Sequence, residues 1–433
     1  KKNKGSWRGQ RTIALNKHMG EGLRFRNKMA YDLIKGIDQM MGLQTQFVHL
    51  YVKDLTDSDN GVFEDYGLYT QVEQLNKTAL KTHGADPNGQ LYKINSFEFL
   101  RYEDIIRLST DPAYDQTAFE ARLEIKGDSD HSKLIEMLEV LNDETSSMED
   151  ELFATYFDKE NIAYWMAFQL LTGNTDTQNR NVYLYSPQNS SKWYLWDWDN
   201  DGMLRRRERE IIKFSDSESW ERGVSNYWGN VLFRRCLQTQ SYRDMLDAAM
   251  KELYAYMNEE RIQSMLEHYR SVTETYVWQM PDRMYVPITH AEYEDVLKSI
   301  WPEIEENYNY YWESYHKPMP FYIGTPSLQN GVLQLSWDTS YDFNAEDISY
   351  TVELARDYQF RQMVYREEHV VLPMTQTAAP AAGQYFIRVR ATNASGYTQD
   401  AFDYYVIDSG KVYGVKCFYI QPDGTVVEDT YEE

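Results

Sequence analysis

The stretch GNTDTQNRNVYLYSPQNSSKWYLWDWDNDG, residues 173–202, decides how the rest of the chain is interpreted. It contains Asp176 and, five residues later, Asn181. Two segments rich in aromatic and β-branched residues, NVYLY and KWYLW, follow with a turn between them, which predicts a β-hairpin. The hairpin leads into WDWDND, so that Asp197 and Asp199 stand at its exit. The stretch therefore predicts two acidic loops joined by one hairpin.

These residue types in this order suit phosphoryl transfer. A carboxylate within hydrogen-bond reach of an acceptor hydroxyl can orient it and take its proton, and Asp176 is the predicted catalytic base. Amide and carboxylate oxygens are hard ligands that suit Mg²⁺, so Asn181, Asp197 and Asp199 are the predicted metal ligands. If WYLWDWD continues as a strand, alternation places Asp197 and Asp199 on one face.

Other interpretations of the same residues stay open. The NTDTQN segment would also serve as a structural turn in which polar side chains cap the backbone. Asn200 and Asp201 are predicted to be turn residues, because a calcium loop needs a twelve-residue ligand pattern that is absent. A carboxylate pair could indicate a glycosidase, but that reaction does not need an asparagine at this spacing. The chain contains no GxSxG, HExxH or Walker A motif.

Further motifs precede this stretch in a fixed order: LNKH at 15–18, RFRNKMAYDLI at 24–34 and YGLYTQVEQLNK at 66–77. With GNTDTQNRN and WDWD they resemble the CotH (spore-coat protein H) kinase family, an atypical branch of the protein-kinase-like fold. The resemblance implies ATP and Mg²⁺ or Mn²⁺ as cofactors and a protein substrate bearing Ser or Thr. It also places Glu73 at the adenine-facing hinge, where the side chain is either cofactor-binding or only structural. Family members often read P-W-D-x-D where this chain has Leu195-Trp196-Asp197.

The lysine that pairs with the nucleotide phosphates in kinases is not assigned by the motifs. Lys17 and Lys28 are the candidates within the chain, and a lysine-rich strand before LNKH is the family's usual source. A G-x-G-x-x-G loop is not visible. Two rivals to the kinase therefore remain: a non-catalytic surface or scaffold protein that keeps the fold, and an enzyme that transfers another nucleotide moiety such as AMP.

The sequence predicts an α+β chain in which a two-lobed kinase-like domain is followed by an all-β sandwich. The predicted boundaries are 1–316 for the kinase-like domain, with an N-lobe to about residue 77, then 317–409 and a C-terminal β/acidic tail at 410–433. Periodicity predicts helices at 24–40, at SKLIEMLEVLN and at 157–171, the last with Asp158 as its N-cap. FVHLYVKDL and YGLYTQVEQ are predicted strands joined by a turn at DSDNG, and residues 78–150 are predicted to be mostly helical.

Beyond the prolines of KPMP the pattern becomes β-rich, with LQLSWD, ISYTVELAR, HVVLP and YFIRVRATNASG as predicted strands. This region resembles a fibronectin type III module. Trp337 is the predicted core aromatic and Tyr385 the predicted tyrosine-corner residue. One or two further strands are expected after residue 410.

Charge and composition limit the partners. The net charge of −24 disfavours binding to nucleic acid or an anionic membrane, because phosphates attract Lys and Arg. The basic LRRRERE segment is either a set of phosphate contacts or a solvated helix of mixed charge. Two cysteines, Cys236 and Cys417, give no disulfide framework, and no apolar run of 18 residues spans a membrane. The opening KKNKGSW reads like the start of a fragment, so the expected location, extracellular or on the cell surface or spore coat of a bacterium, rests on the family resemblance.

Overall fold

The computed structural model describes residues 10, 12–56, 61–213, 220–408 and 410–429. The chain divides into two compact units. Unit 1 takes in the described residues of Lys1–Phe214 and Asn230–Tyr308, and unit 2 those of Ser215–Gly229 and Asn309–Glu433. The structure is α+β, with most helices in unit 1, and the regular elements of the described residues after 314 are β-strands.

Unit 1 contains seven strands and most of the helical residues among those described. The strands are β1 (Ile13–Asn16), β2 (Thr45–Lys53), β3 (Phe63–Glu73), β4 (Gln90–Ile94), β5 (Leu123–Ile125), β6 (Val182–Ser186) and β7 (Tyr194–Asp197). The helices are α1 (Arg26–Ile34), α2 (Lys77–Thr82), α3 (Gln116–Arg122), α4 (Ser132–Asn142), α5 (Lys159–Thr172), α6 (Arg206–Ile211), α7 (Val231–Gln238), α8 (Gln240–Tyr256), α9 (Glu259–Val277) and α10 (His290–Ser314), and α10 continues into unit 2. A π-helical segment at Met148–Tyr156 and a short 3₁₀ helix at Asp282–Tyr285 complete the unit, and a second 3₁₀ helix at Gly223–Tyr227 lies in unit 2.

Two antiparallel sheets organise unit 1. The first has the order β1-β3-β2, and the second has the order β5-β4-β6-β7. The predicted hairpin is therefore present as β6 and β7, in a register that pairs Val182 with Asp197 and Tyr183 with Trp196. Helix α5 supplies the centre of the core, since every residue from Asn161 to Thr172 is buried.

The predicted elements of unit 1 were partly confirmed. Helices α4 and α5 lie where periodicity placed them, and Asp158 caps α5 by accepting a hydrogen bond from the Asn161 amide at 2.9 Å. Helix α1 is shorter than the predicted 24–40. The region predicted to be mostly helical also contains strands β4 and β5. The predicted turn DSDNG lies largely at 57–60, outside the described residues.

Unit 2 is a β-sandwich. Its strands are β8 (Ser327–Gln329), β9 (Val332–Ser336), β10 (Ile348–Ala355), β11 (Met363–Val370), β12 (Met374–Ala378), β13 (Gly383–Asn393), β14 (Thr398–Asp400), β15 (Tyr404–Ile407), β16 (Gly410–Tyr413), β17 (Val415–Ile420) and β18 (Val426–Glu428). One sheet has the order β11-β10-β13-β17-β18 with β14 on β13, and a second has the order β12-β9-β8. The region after residue 410 thus holds three short strands rather than one or two.

The aromatic residues predicted for the sandwich core lie inside it. Trp337 is 5% exposed and packs against Tyr350, with ring centroids 5.3 Å apart. The fully buried Tyr385 donates its hydroxyl hydrogen to the carbonyl of Ala381, four residues upstream, at 2.5 Å. This is the hydrogen bond of a tyrosine corner. Within the described chain, no helix is apolar enough over a sufficient length to cross a bilayer.

Candidate active site

Helix α5 delivers the loop that carries Asp176. The helix ends at Gly173, whose φ of +60° is the left-handed conformation that glycine adopts most readily at a helix C-terminus. Behind the loop, the buried Asn174 donates to the side-chain oxygens of Gln169 at 3.1 Å and Asn200 at 3.3 Å. The Thr177 hydroxyl donates to the Asn174 carbonyl at 3.1 Å. The start of the loop is therefore anchored to the core while its middle faces outward.

The five-residue spacing brings Asp176 and Asn181 together. The Asn181 amide donates to Oδ2 of Asp176 at 3.0 Å and to its backbone carbonyl at 3.2 Å. Asn181 has a φ of +56°, a conformation that asparagine tolerates better than most residues. The Asp176 side chain is 53% exposed and lies 3.4 Å from Nε of Arg180. An exposed carboxylate oriented by a neighbouring amide can receive a proton from a substrate hydroxyl.

Burial and nearby charges together raise the pKa of Asp176. Partial burial is the main cause and the negative charge of Asp201 adds to it, whereas the guanidinium groups of Arg180 and Arg209 act in the opposite direction. The pKa therefore moves toward the range in which a carboxylate exchanges protons near neutral pH.

Asp197 and Asp199 occupy different environments. Strand β7 ends at Asp197, and Asp199 has a φ of +59°, so strand alternation does not extend over the pair. Asp197 is 1% exposed, and both of its oxygens accept hydrogen bonds, Oδ1 from Gln169 at 2.6 Å and Oδ2 from Asn200. Burial raises its pKa to about 7. The condition for placing both carboxylates on one strand face, that the strand continues as far as Asp199, is therefore not met.

Asp199 belongs to an acidic cluster that we define as Asp176, Asp199 and Asp201. Burial is the main cause that raises the pKa of Asp199 to about 6, and the charges of Asp201 and Asp176 add to it. The positive charge of Lys93 on β4 opposes the shift. Lys93 is the register partner of Tyr183, whose ring packs against Trp198 with centroids 5.4 Å apart. The chain next to Asp199 therefore packs beside the part of the sheet that carries Lys93.

The acidic cluster offers the kind of oxygen ligands that a hard divalent cation prefers. Its carboxylate oxygens, together with the Asn181 amide oxygen, form the all-oxygen set that Mg²⁺ and Mn²⁺ accept. Burial is the main cause of the raised pKa values of Asp176 and Asp199, and the negative charge of Asp201 adds to both shifts, a charge that a bound cation would offset. Among the described residues, these three carboxylates do not all have a ligand oxygen within 4.8 Å of one another.

Helix α1 holds the backbone of residues 199–204, which we call the acidic loop. The Tyr31 hydroxyl accepts a hydrogen bond from the Asp199 amide at 3.1 Å, and Oδ1 of Asn27 accepts one from the Asn200 amide at 3.1 Å. Nε of Arg26 donates to the Leu204 carbonyl at 3.1 Å. The side chains of Tyr31, Asn27 and Arg26 are all buried. The motif RFRNKMAYDLI therefore contains loop-holding residues that periodicity alone identified only as a helix.

Glu73 lies at the end of β3, as predicted, but its carboxylate is already occupied. It accepts hydrogen bonds from Nε2 of Gln10 at 3.2 Å, the Gln44 amide at 3.1 Å and Nε2 of His83 at 2.7 Å. Burial opposes its ionisation, but these donors prevail and lower its pKa. The contacts fit the structural alternative for Glu73, and its cofactor role stays a prediction.

The two lysines proposed for the nucleotide are engaged in ion pairs. Lys17 lies 3.1 Å from Asp282 and over the ring of Tyr69, and Lys28 lies 2.7 Å from Asp32. By contrast, Lys93 forms no ion pair within the described part of the chain, although its charge acts on Asp199. The sequence pattern did not single out Lys93, because β4 lies in a region that was predicted to be mostly helical.

The LRRRERE segment fits neither interpretation fully. Its arginines at the surface are paired with carboxylates, and one of its glutamates is buried. Arg206 and Arg207 form exposed ion pairs with Glu306 and Asp295, as a helix of mixed charge would. Glu208, however, is fully buried and pairs with Arg26 at 2.7 Å. The segment therefore contributes a buried charge that the sequence pattern did not indicate.

A second group of possible metal ligands is Glu274, His290 and Glu294, whose ligand atoms lie within 4.8 Å of one another. Arg270 pairs with both carboxylates of this group. The single positive charge of the guanidinium group offsets one of the two negative charges, and it already occupies oxygens of both carboxylates.

A catalytic-type loop with an Asp and an Asn five residues apart, a hairpin and an acidic loop held by a helix define a protein-kinase-like domain. The family model described as CotH kinase protein matches residues 1–311. The match covers well over half of the chain, and the chain therefore belongs to the CotH kinase family. No curated protein matches the chain significantly. Residues after 311 lie outside the family match, so the fibronectin type III assignment of the sandwich stays a prediction.

Proposed function

We propose that this protein is an atypical Ser/Thr protein kinase that transfers the γ-phosphoryl group of ATP to a protein hydroxyl. The observation that carries the proposal is the hydrogen bond from the Asn181 amide to the exposed Asp176 carboxylate, on a loop that α5 anchors. Kinases need these two side chains next to each other, because one orients the acceptor and the other holds a metal ion.

Asp176 accepts the hydrogen of the acceptor hydroxyl as the oxygen attacks the γ-phosphorus. The P–O bond to ADP breaks as the new P–O bond forms, and the proton ends on Oδ1 or Oδ2 of Asp176. Arg180 limits the rise in the pKa of this carboxylate, so that it stays able to accept a proton. Lys93, whose positive charge acts on Asp199, is a cation that would balance phosphate charge.

Mg²⁺ or Mn²⁺, when bound, would neutralise phosphate charge at the transition state. We assign Asp199 and Asn181 as its principal ligands. The predicted role of Asp197 as a third ligand stays a prediction, since its oxygens already accept two hydrogen bonds. Replacing each aspartate by asparagine separates the roles: Asp199→Asn should abolish Mn²⁺ binding, whereas Asp197→Asn should chiefly change stability.

The experiment that tests the function is autophosphorylation with ATP labelled at the γ or at the α position, in Mg²⁺ or Mn²⁺. The wild type should incorporate the γ-label only, and Asp176→Asn should incorporate none. Asp104→Asn is the matched control, because that side chain is fully exposed and lies outside the site. Incorporation of the α-label would instead show transfer of AMP.

A non-catalytic scaffold protein is the alternative. If γ-label is absent from the wild type and from an added Ser/Thr protein substrate, and ATP with Mn²⁺ does not raise the melting temperature, the kinase proposal fails. A thermal shift alone would show nucleotide binding without supporting transfer.

The family suggests where such a protein acts. By analogy with its family we place the protein outside a bacterial cell, on the cell surface, in the spore coat or in an extracellular polysaccharide-degrading complex such as a cellulosome. The sandwich of unit 2 would then mediate contacts with other proteins. Proteinase treatment of intact cells or spores, followed by detection of the protein, tests this location.

A further inference from the structure

Two side chains of helix α1 contact the backbone on both sides of the proposed metal ligand Asp199. Tyr31 and Asn27 lie four residues apart, and so they face the same way from one helix. Tyr31 is 0% exposed and Asn27 is 1% exposed. Their oxygens accept hydrogen bonds from the consecutive amides of Asp199 and Asn200, each at 3.1 Å.

The loop needs such contacts because its backbone is in an unfavourable conformation. Asp199 and Leu204 have φ angles of +59° and +48°, which place their Cβ atoms close to the backbone. Conformations of this kind persist only where the surroundings hold them. Here α1 supplies an acceptor at the first strained residue and, through Nε of Arg26, a donor to the carbonyl of the second, at 3.1 Å.

We propose that Tyr31 and Asn27 are positioning residues that hold the Asp199 carboxylate in the direction of Asp176 and Asp201. This inference rests on the proposed metal role of Asp199. Without the Tyr31 acceptor the Asp199 amide is left without its partner, the loop can leave the left-handed conformation and the carboxylate turns away. This effect depends on the hydroxyl group of Tyr31 and not on its ring. Tyr31→Phe fills the same buried space but removes the oxygen that accepts the hydrogen bond.

The test is a titration of the full chain with Mn²⁺ alone. The paramagnetic signal of unbound Mn²⁺ measures how much of the ion stays free at each step. Tyr31→Phe should weaken Mn²⁺ binding by about fivefold, the effect of one ordinary hydrogen bond. Tyr256→Phe is the matched control, since the Tyr256 hydroxyl donates to the Leu33 carbonyl of the same helix at 2.9 Å without contacting the loop. It should leave Mn²⁺ binding unchanged. Asn27→Ala, which removes the second acceptor, should weaken binding in the same direction.

The outcomes separate this inference from the proposed function. If the wild type binds Mn²⁺, Asp199→Asn does not and Tyr31→Phe binds like the wild type, the positioning role is wrong while the metal site stands. If Tyr256→Phe weakens binding as much as Tyr31→Phe, the effect is general loosening of α1 and the positioning role is also wrong. If the wild type binds no Mn²⁺, the metal site fails and the positioning role with it. Melting temperatures of the two tyrosine variants, which should fall equally, exclude unfolding as the cause.

Discussion

The two units of this protein differ in how deeply they bury charged side chains. The core of unit 2 is made of apolar and aromatic side chains such as Leu335, Trp337 and Val389. Unit 1 places charged groups in its interior next to the candidate active site. Arg26, Glu21 and Glu208 form ion pairs at 2% exposure or less, and Arg24 pairs with Asp282 at 2.5 Å.

The difference shows what a site demands of its supporting structure. An apolar core is stable over a wide range of packing details, whereas a loop that must hold one carboxylate in place needs directional contacts. Buried ion pairs add little net stability, but removing one partner is costly. We therefore expect unit 1 to be sensitive to single polar changes and to pH, and unit 2 to be less so.

The largest effect is expected from Glu208→Ala. The change leaves the guanidinium of Arg26 buried with Glu21 as its remaining ion-pair partner, which should lower the free energy of unfolding by about 3–5 kcal/mol. Calorimetry of the full chain measures this loss. Glu210→Ala is the control on the same helix, because the Glu210 side chain is 55% exposed and its ion pair with Arg207 lies at the surface. Equal losses in the two variants would contradict the view that the buried pair supports unit 1.

A smaller effect is expected from pH, through His131 at the start of α4. This residue is fully buried, with Nδ1 2.8 Å from the Tyr92 hydroxyl and its ring stacked on Phe119. Burial lowers its pKa from 6.5 to about 4. Between these two values the unfolded chain binds more protons than the folded one, so stability should fall as the pH drops from 6.5 to 4, by up to about 3 kcal/mol.

Unfolding measured across this pH range in the wild type and in His131→Gln tests the prediction. The variant should lose that part of the pH dependence which His131 carries. His268→Gln, a change at an exposed histidine, should keep it. If the slope is the same in all three proteins, His131 does not carry it.

The sequence predicted those features that depend on residues close to one another in the chain. Helix α5 follows from its apolar run and its N-cap Asp158, and the bond between Asp176 and Asn181 follows from a spacing of five within one loop. The buried state of Glu208 could not be predicted, because its partner Arg26 is 182 residues away and both charges look solvent-exposed in sequence.

The same limit applies to the acidic loop, where the structure departs from the strand pattern that the sequence suggested. Alternation assumes an extended backbone, but the left-handed turn at Asp199 is held by Tyr31 on a distant helix. Asp197 therefore faces the core while Asp199 joins the cluster. Strand β4 was missed because its short QLYKI sequence becomes a strand by pairing with β6, more than 80 residues later.

The smallest effect is expected from Tyr385→Phe in unit 2, where the sequence pattern predicted one specific hydrogen bond. The ring stays in the apolar core, but the Ala381 carbonyl loses its donor at 2.5 Å. The free energy of unfolding should fall by about 1 kcal/mol, the usual contribution of one hydrogen bond. Calorimetry at neutral pH measures it, and Tyr322→Phe, at a tyrosine that is 52% exposed, should cost less. A loss in Tyr385→Phe as large as that of Glu208→Ala would contradict the contrast between the two units, because it would mean that unit 2 also depends on a single polar contact.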